Sequence, residues 1–247
     1  MRFLRKLHKW LGLIVGLQVL LWTVSGLIFA FLDHHEVSAE HSTRVPDSAV
    51  ITPATTLADP AVWLPGLKPE QILEIRLASI LDHWVWRIES HEGVTLRAAE
   101  TGEPVELNDE WIRSLAQQHY AGKGRLASIT FHPASTLETR DSGATWEARF
   151  ADESKTSLYF SADDGRLVEA RNDTWRLFDF FWMLHTMDYQ GRDDFNNPLV
   201  ITIGMAALWL SVSGLVLLFR SFRRQDFAFL AVGRRRGVAE RNGSVGA

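Results

Sequence analysis

The sequence predicts a membrane α-helical protein: two spanning helices, with an α+β domain between them outside the cytoplasm. Three observations carry that expectation. Leu11 to Phe31 is a run of 21 residues without a formal charge, and Pro198 to Phe219 is a second run of 22. A helix of about 20 apolar residues crosses the roughly 30 Å hydrocarbon core, so both runs qualify as spans. Residues 1–32 and 198–247 together hold 11 Lys and Arg against Asp226 and Glu240, a net +9. The 165 residues between them carry 15 basic and 28 acidic groups, a net −13. Short basic flanks stay inside, which puts both termini in the cytoplasm and residues 36–197 beyond the membrane, the periplasm if this is a bacterial inner membrane. Between the two runs, short stretches of alternating polarity are separated by turn formers, the pattern of strands.

Composition narrows the chemistry. The chain has no cysteine. That excludes disulfides, Cys-ligated zinc, iron–sulfur clusters and covalently attached c-type haem, leaving His, Met, Tyr and carboxylates as ligands. A competing reading of residues 1–39 is a cleaved signal peptide with a Val37-Ser38-Ala39 site. The apolar run is longer than the core of about 7–15 residues such signals carry.

In order, residues 1–35 form the cytoplasmic N-terminus and first span. Gly12 and Gly16 make a GxxxG, and Ser25-Gly26 extends the thin face. At 100° per residue, His8, Gly12, Val19 and Gly26 lie within about 40° of one another. If the helix continues that far, His34 is about 80° round from His8 and about 39 Å along the axis, with His35 on the opposite side. Residues 36–66, rich in Ser, Thr, Pro, Ala and Asp, read as an extended connector with little structure of its own.

The domain reads as two α+β modules, 67–107 and 108–172. The first has a short helix at Lys68–Leu73 and strands at 74–80, 83–89 and 94–98. The second has a helix over Asp109–Tyr120 capped by Asn108, and strands at 125–132, 144–151, 156–161 and 166–170. An internal repeat supports the division, since residues 98–106 (AAETGEPVE) match 161–169 (SADDGRLVE) at an offset of 63. In each, a strand ends in a turn whose glycine suits positive φ.

Residues 173–197 follow as an aromatic helix and elbow. Trp175, Phe178, Trp182, His185 and Tyr189 fall within an 80° sector of a helical wheel. The second span, 198–220, is opened by Asn197-Pro198 and carries small residues at Gly204, Ala207, Ser211 and Gly214. A basic cytoplasmic tail, 221–247, ends the chain.

Four features, HKWLG at the first membrane entry, TSLYFSADDGRLVEARND, FFWMLHT and the closing SGLVLLF, together resemble the PepSY-associated transmembrane proteins. Larger members with four transmembrane helices include haem-bearing reductases acting on ferric siderophores. The resemblance therefore implies a PepSY-like outer domain, haem b and ferric reduction fed by an unidentified electron donor. With two helices here instead of four, it implies a homodimer that supplies the four-helix bundle.

In a cysteine-free bundle, electron transfer across lipid calls for non-covalent haem b between two histidines, with small residues beside them and aromatic walls. The candidate axial ligands are His185, His8 and His34. His35 is an alternative or supporting residue, Gly12 offers room for the porphyrin, and Trp182 a wall. Each has a plainer reading: His8 as an interfacial cation beside Arg5, Lys6 and Lys9, His185 as an aromatic-belt residue, His35 as a surface group. Asp188, Asp193 and Asp194 could attract a cation and Arg192 an anionic chelate, although capping and solvation explain them as well. No nucleophile set, Walker loop or dinucleotide fingerprint is present, and the acidic domain does not suit nucleic acid. The competing function is a non-enzymatic, membrane-anchored regulator whose PepSY-like modules bind a peptidase, sensor or transporter.

Overall fold

The computed structural model describes residues 2–46, 56–66 and 69–221. The middle of the expected connector, Leu67, the Lys68 start of the expected short helix and the basic tail beyond Ser221 lie outside the described residues. In chain order, helix α1 (Arg2–Phe31) is followed by one-turn helices α2 (His34–Val37) and α3 (Pro60–Trp63), then strands β1 (Ile72–Ile80), β2 (His83–Ser90), β3 (Gly93–Ala98) and β4 (Pro104–Val105). Helix α4 (Asp109–His119) leads to β5 (Arg125–His132), β6 (Thr145–Ala151), β7 (Ser157–Ser161) and β8 (Leu167–Arg171), and helices α5 (Asp173–Thr186) and α6 (Pro198–Ser221) complete the order. The chain divides into two compact units, residues 1–24 with 195–247, and residues 25–194.

Both α1 and α6 are long and apolar enough to cross a membrane. Large apolar side chains such as Leu13, Leu17, Met205, Leu208 and Phe219 are exposed, as lipid-facing residues are. Helix α1 stops at Phe31. Asp33 takes an extended conformation and its Oδ1 accepts from His35 N at 2.9 Å, which starts α2 as a separate turn. His34 therefore does not continue the wheel of His8, and the expected groove joining them along one helix is not formed.

In the second unit the two sheets are antiparallel meanders of the same order, β1-β2-β3-β4 and β5-β6-β7-β8. The strands lie where polarity alternation places them, to within a residue or two. The short helix expected at Lys68–Leu73 is instead a 3-10 turn at Pro69–Gln71 running into β1. Asn108 caps α4 by accepting from Glu110 N and Trp111 N. One apolar core serves both sheets: Ile112, Leu115 and Ala116 of α4 join Val85 and Leu96 of the first sheet and Leu158 and Phe160 of the second. The modules thus share a helix and a core. That shared core departs from the tandem arrangement.

The internal repeat is a repeat of structure. Ala98 N donates to Glu103 O and Gly102 N to Ala98 O; Ser161 N donates to Arg166 O and Gly165 N to Ser161 O. Gly102 (φ 77) and Gly165 (φ 68) occupy the same left-handed position in the two turns. The connector also has more structure than its composition suggests. Arg44 N donates to His119 O, Ala121 N to Ser42 O and Asn172 Nδ2 to Glu36 O, so the chain after α2 is pinned to α4 and to the start of α5.

Candidate functional site

Two histidines on apolar helices are each held by a buried serine. In the first unit, His8 Nδ1 lies 2.8 Å from Ser213 Oγ, and Ser213 is 8% exposed. The serine hydroxyl donates to Leu210 O at 3.0 Å, the bond such residues make within helices. With that hydrogen committed, Ser213 Oγ accepts from His8 Nδ1–H, and the assigned tautomer leaves a lone pair on His8 Nε2. The His8 ring centre is 6.5 Å from that of Trp209, and a Cβ built on Gly214 would meet His8 Cε1 at 3.5 Å. One turn along α1, a Cβ built on Gly12 meets nothing within 4 Å, so the space beside His8 is open.

In the second unit, His185 Nδ1 lies 2.8 Å from the hydroxyl of Ser25, which is completely buried. Phe29, one turn beyond Ser25, meets the His185 ring edge-on at 5.6 Å and packs on Phe178 at 4.9 Å and Trp182 at 6.2 Å. The aromatic face expected on this helix is therefore real for Phe178, Trp182 and His185. It does not extend to Tyr189, because α5 ends at Thr186 and Met187 turns left-handed (φ 56). Trp182 also donates from Nε1 to Arg192 O at 2.9 Å.

The helix bearing His185 is fixed by a charge network that sequence reasoning missed. Asn172 caps it by accepting from Trp175 N at 2.7 Å, and Arg171 lies over the Trp175 ring at 4.2 Å. Arg176 donates to both carboxylate oxygens of Glu138, at 2.8 and 3.1 Å. Asp179, buried in mid-helix, accepts from Arg140 and Arg192. Arg192 thus answers Asp179. Asp188 accepts from the backbone N–H groups of Gln190, Gly191, Asp193 and Asp194, so the acidic elbow is a capped turn.

His34 and His35 sit elsewhere. Both are exposed on α2, and His35 Nδ1 pairs with Glu40 Oε2 at 2.6 Å. Hydrogen bonding and charge from Glu40 raise the His35 pKa, the setting of a surface ion pair. Among the described residues no cluster of three or more His, Asp or Glu is arranged to hold a metal ion. Of the expected site residues, His8 with Gly12 and His185 with Trp182 form two local settings, and His34 and His35 join neither.

The donor set fits a haem at the level of single residues. Each histidine is held through Nδ1, as a ligand coordinating through Nε2 would be, and Gly12 leaves the flank of His8 unfilled. Ser25 and Ser213 carried one sequence signal, a hydroxyl in an otherwise apolar span that asks for a partner.

Two apolar helices bracketing a two-sheet domain, with serine-held histidines on helical elements, define a membrane protein with a folded domain between its spans. The chain belongs to the family of the PepSY-associated TM region, whose pattern matches residues 5–242. No curated protein and no solved structure matches it.

Proposed function

We propose that this chain is a haem b protein of the bacterial inner membrane that passes electrons outward to ferric iron or a ferric siderophore, with two copies supplying a four-helix bundle. The observation that carries the proposal is the pair of histidines, His8 and His185, each bonded through Nδ1 to a buried serine of another helix. A bound haem would supply one-electron chemistry between ferric and ferrous states. The chain's own residues do the positioning: Ser213 fixes the His8 ring plane, Ser25 fixes that of His185, and Phe29 and Trp182 exclude water around His185. Reduction of the substrate iron weakens its hold on hard oxygen donors and releases it.

The test is an absorption spectrum of the purified full chain, oxidised and then dithionite-reduced. A Soret band that sharpens and shifts on reduction is expected, together with its loss in His8→Ala and His185→Ala. In Ser213→Ala the haem should remain with an altered midpoint potential, since the serine acts through the ligand. A chain without a Soret band, even after haem supplementation, would sink the proposal. In that event, with His185→Ala silent, the membrane-anchored regulator is the better account.

A further inference from the structure

Strand β1 ends the first sheet, with β2 on one side and no strand among the described residues on the other. A cleft of about 300 Å³ runs beside it, lined by the four consecutive residues Ala78, Ser79, Ile80 and Leu81. Successive side chains of a strand point to opposite faces of its sheet, so a cavity that touches Ala78, Ser79 and Ile80 in a row and Leu81 of the following turn reaches the outer edge of β1, while Arg87 of β2 and Leu96 of β3, in register on one face, carry it over the sheet. The opposite wall is one face of α4, Leu115, Gln118 and His119, continued by the β7–β8 turn at Gly165–Leu167. Ile80, Leu96, Leu115 and Leu167 make the floor apolar.

The charges around this edge are unlike those of the domain. Residues 33–197 carry a net −13, yet the exposed cations of the cleft are Arg76 and Arg166. Arg87 is spent on Asp164 and Glu89, at 3.0 and 2.8 Å. Arg76 reaches Glu74 only at 3.9 Å with both side chains more than half exposed, and the exposed Arg166 donates its backbone N–H to Asp164 at 3.2 Å but its guanidinium forms no ion pair within 4 Å among the described residues. Burial lowers the His119 pKa, so at neutral pH the positive charge comes from the arginines alone.

We propose that this cleft takes an extended acidic peptide segment of a partner protein, which adds to β1 as a further strand, seats apolar side chains on the floor and pairs Asp or Glu with Arg76 and Arg166. A peptide strand satisfies the unpaired backbone groups of an edge, and alternate side chains then enter the pocket beside it. The two arginines select the sign of the ligand, and the apolar floor asks for Val, Leu or Ile between its acids. This binding is independent of haem.

The experiment uses the full chain in detergent and a short fluorescein-labelled peptide in which Val and Leu alternate with Asp and Glu. A saturable rise in anisotropy is expected, with slowed amide hydrogen exchange across 72–80. Arg76→Glu with Arg166→Glu should weaken binding about tenfold while leaving the thermal transition in place. The Asn and Gln version of the peptide should bind more weakly, and a version N-methylated at alternate positions should not bind. Absence of binding, binding insensitive to the arginine changes, or binding without protection of β1 would each overturn the proposal. So would protection of β1 by anionic lipid vesicles with none by the peptide, which would assign the cleft to headgroups.

Discussion

Glu147 shows how a single side chain in the domain couples structure to pH. It is 5% exposed and accepts from Ser157 Oγ at 2.9 Å, His132 Nε2 at 3.1 Å and Arg149 Nη2 at 2.8 Å. Burial alone pushes its pKa up, but the bonds from His132, Arg149 and Ser157 outweigh it and the net shift is down. A carboxyl lowered in the folded state stabilises above its unfolded pKa and loses that contribution as pH falls through the folded value. Glu147→Gln is therefore expected to cost about 2 kcal/mol near neutrality, and the gap to the parent should close as the pH falls through the lowered folded-state pKa. Thermal unfolding stepped from neutral to acid pH measures both, and a gap that widens on acidification would contradict the assignment. Nothing in the sequence announced this group. Glu147 stands in an ordinary alternating strand, and while Arg149 is two residues along it, His132 and Ser157 come from β5 and β7, so only the register of the sheet brings them in. The partners of Ser25 and Ser213 were hidden for the same reason, since each hydroxyl meets a histidine far away in the chain, whereas His8 and His185 stood out as lone imidazoles on apolar helices.

At the scale of elements, two left-handed glycines in different surroundings, one in a repeated turn and one in the loop before β6, allow a controlled comparison. Gly165 has φ 68, and a Cβ built there would meet Leu115 Cδ1 at 3.0 Å and Leu107 Cδ1 at 3.1 Å. Gly143 has nearly the same φ, 71, with nothing within 4 Å. Gly143→Ala should cost about 1 kcal/mol for the left-handed backbone alone, and Gly165→Ala about 2–3 kcal/mol because α4 must also give way. Urea midpoints of the two variants separate the terms; equal losses would show that the α4 contact is soft. The turns were legible because glycine at a fixed place in a repeated nonapeptide has a conformational meaning. Strand positions were legible because period-two alternation survives wherever one face of a sheet is buried, as at Val85 and Leu96, which share a face of the first sheet. What the repeat misled about was the helix. Similar turns suggested two complete modules, but α4 alone supplies Ile112, Leu115 and Ala116 to the core between both sheets. The break after Phe31 was written in the sequence as Asp33, a capping residue, and a helical wheel carried through it to His34 ignores that signal.

For the molecule as a whole, the arrangement of charge sets the last expectation. The basic groups near the first span, Arg2, Arg5, Lys6 and Lys9, and those following the second, beginning with Arg220, flank two helices that expose large apolar side chains such as Leu13, Leu17, Leu208 and Phe219. Lys and Arg near a span resist translocation, so both ends are expected in the cytoplasm and the acidic domain across the membrane. Alkaline phosphatase, active only outside, should be active when fused after Ser135 in the loop following β5 and inactive when fused after Ser221. A fluorescent protein that matures only inside should give the reverse pattern. Replacing Arg2, Arg5, Lys6 and Lys9 by Asn removes the restraint on the first span but leaves the second flank intact. The expected result is a mixed population in which part of the N-terminus is translocated and phosphatase activity at Ser135 falls. If the Asn variant keeps full activity there, the first flank does not set the orientation and the second span with its following arginines must do so. Active phosphatase at Ser221 in the parent chain would reject the two-span topology itself, and with it the placement of the β1 cleft on the outer side.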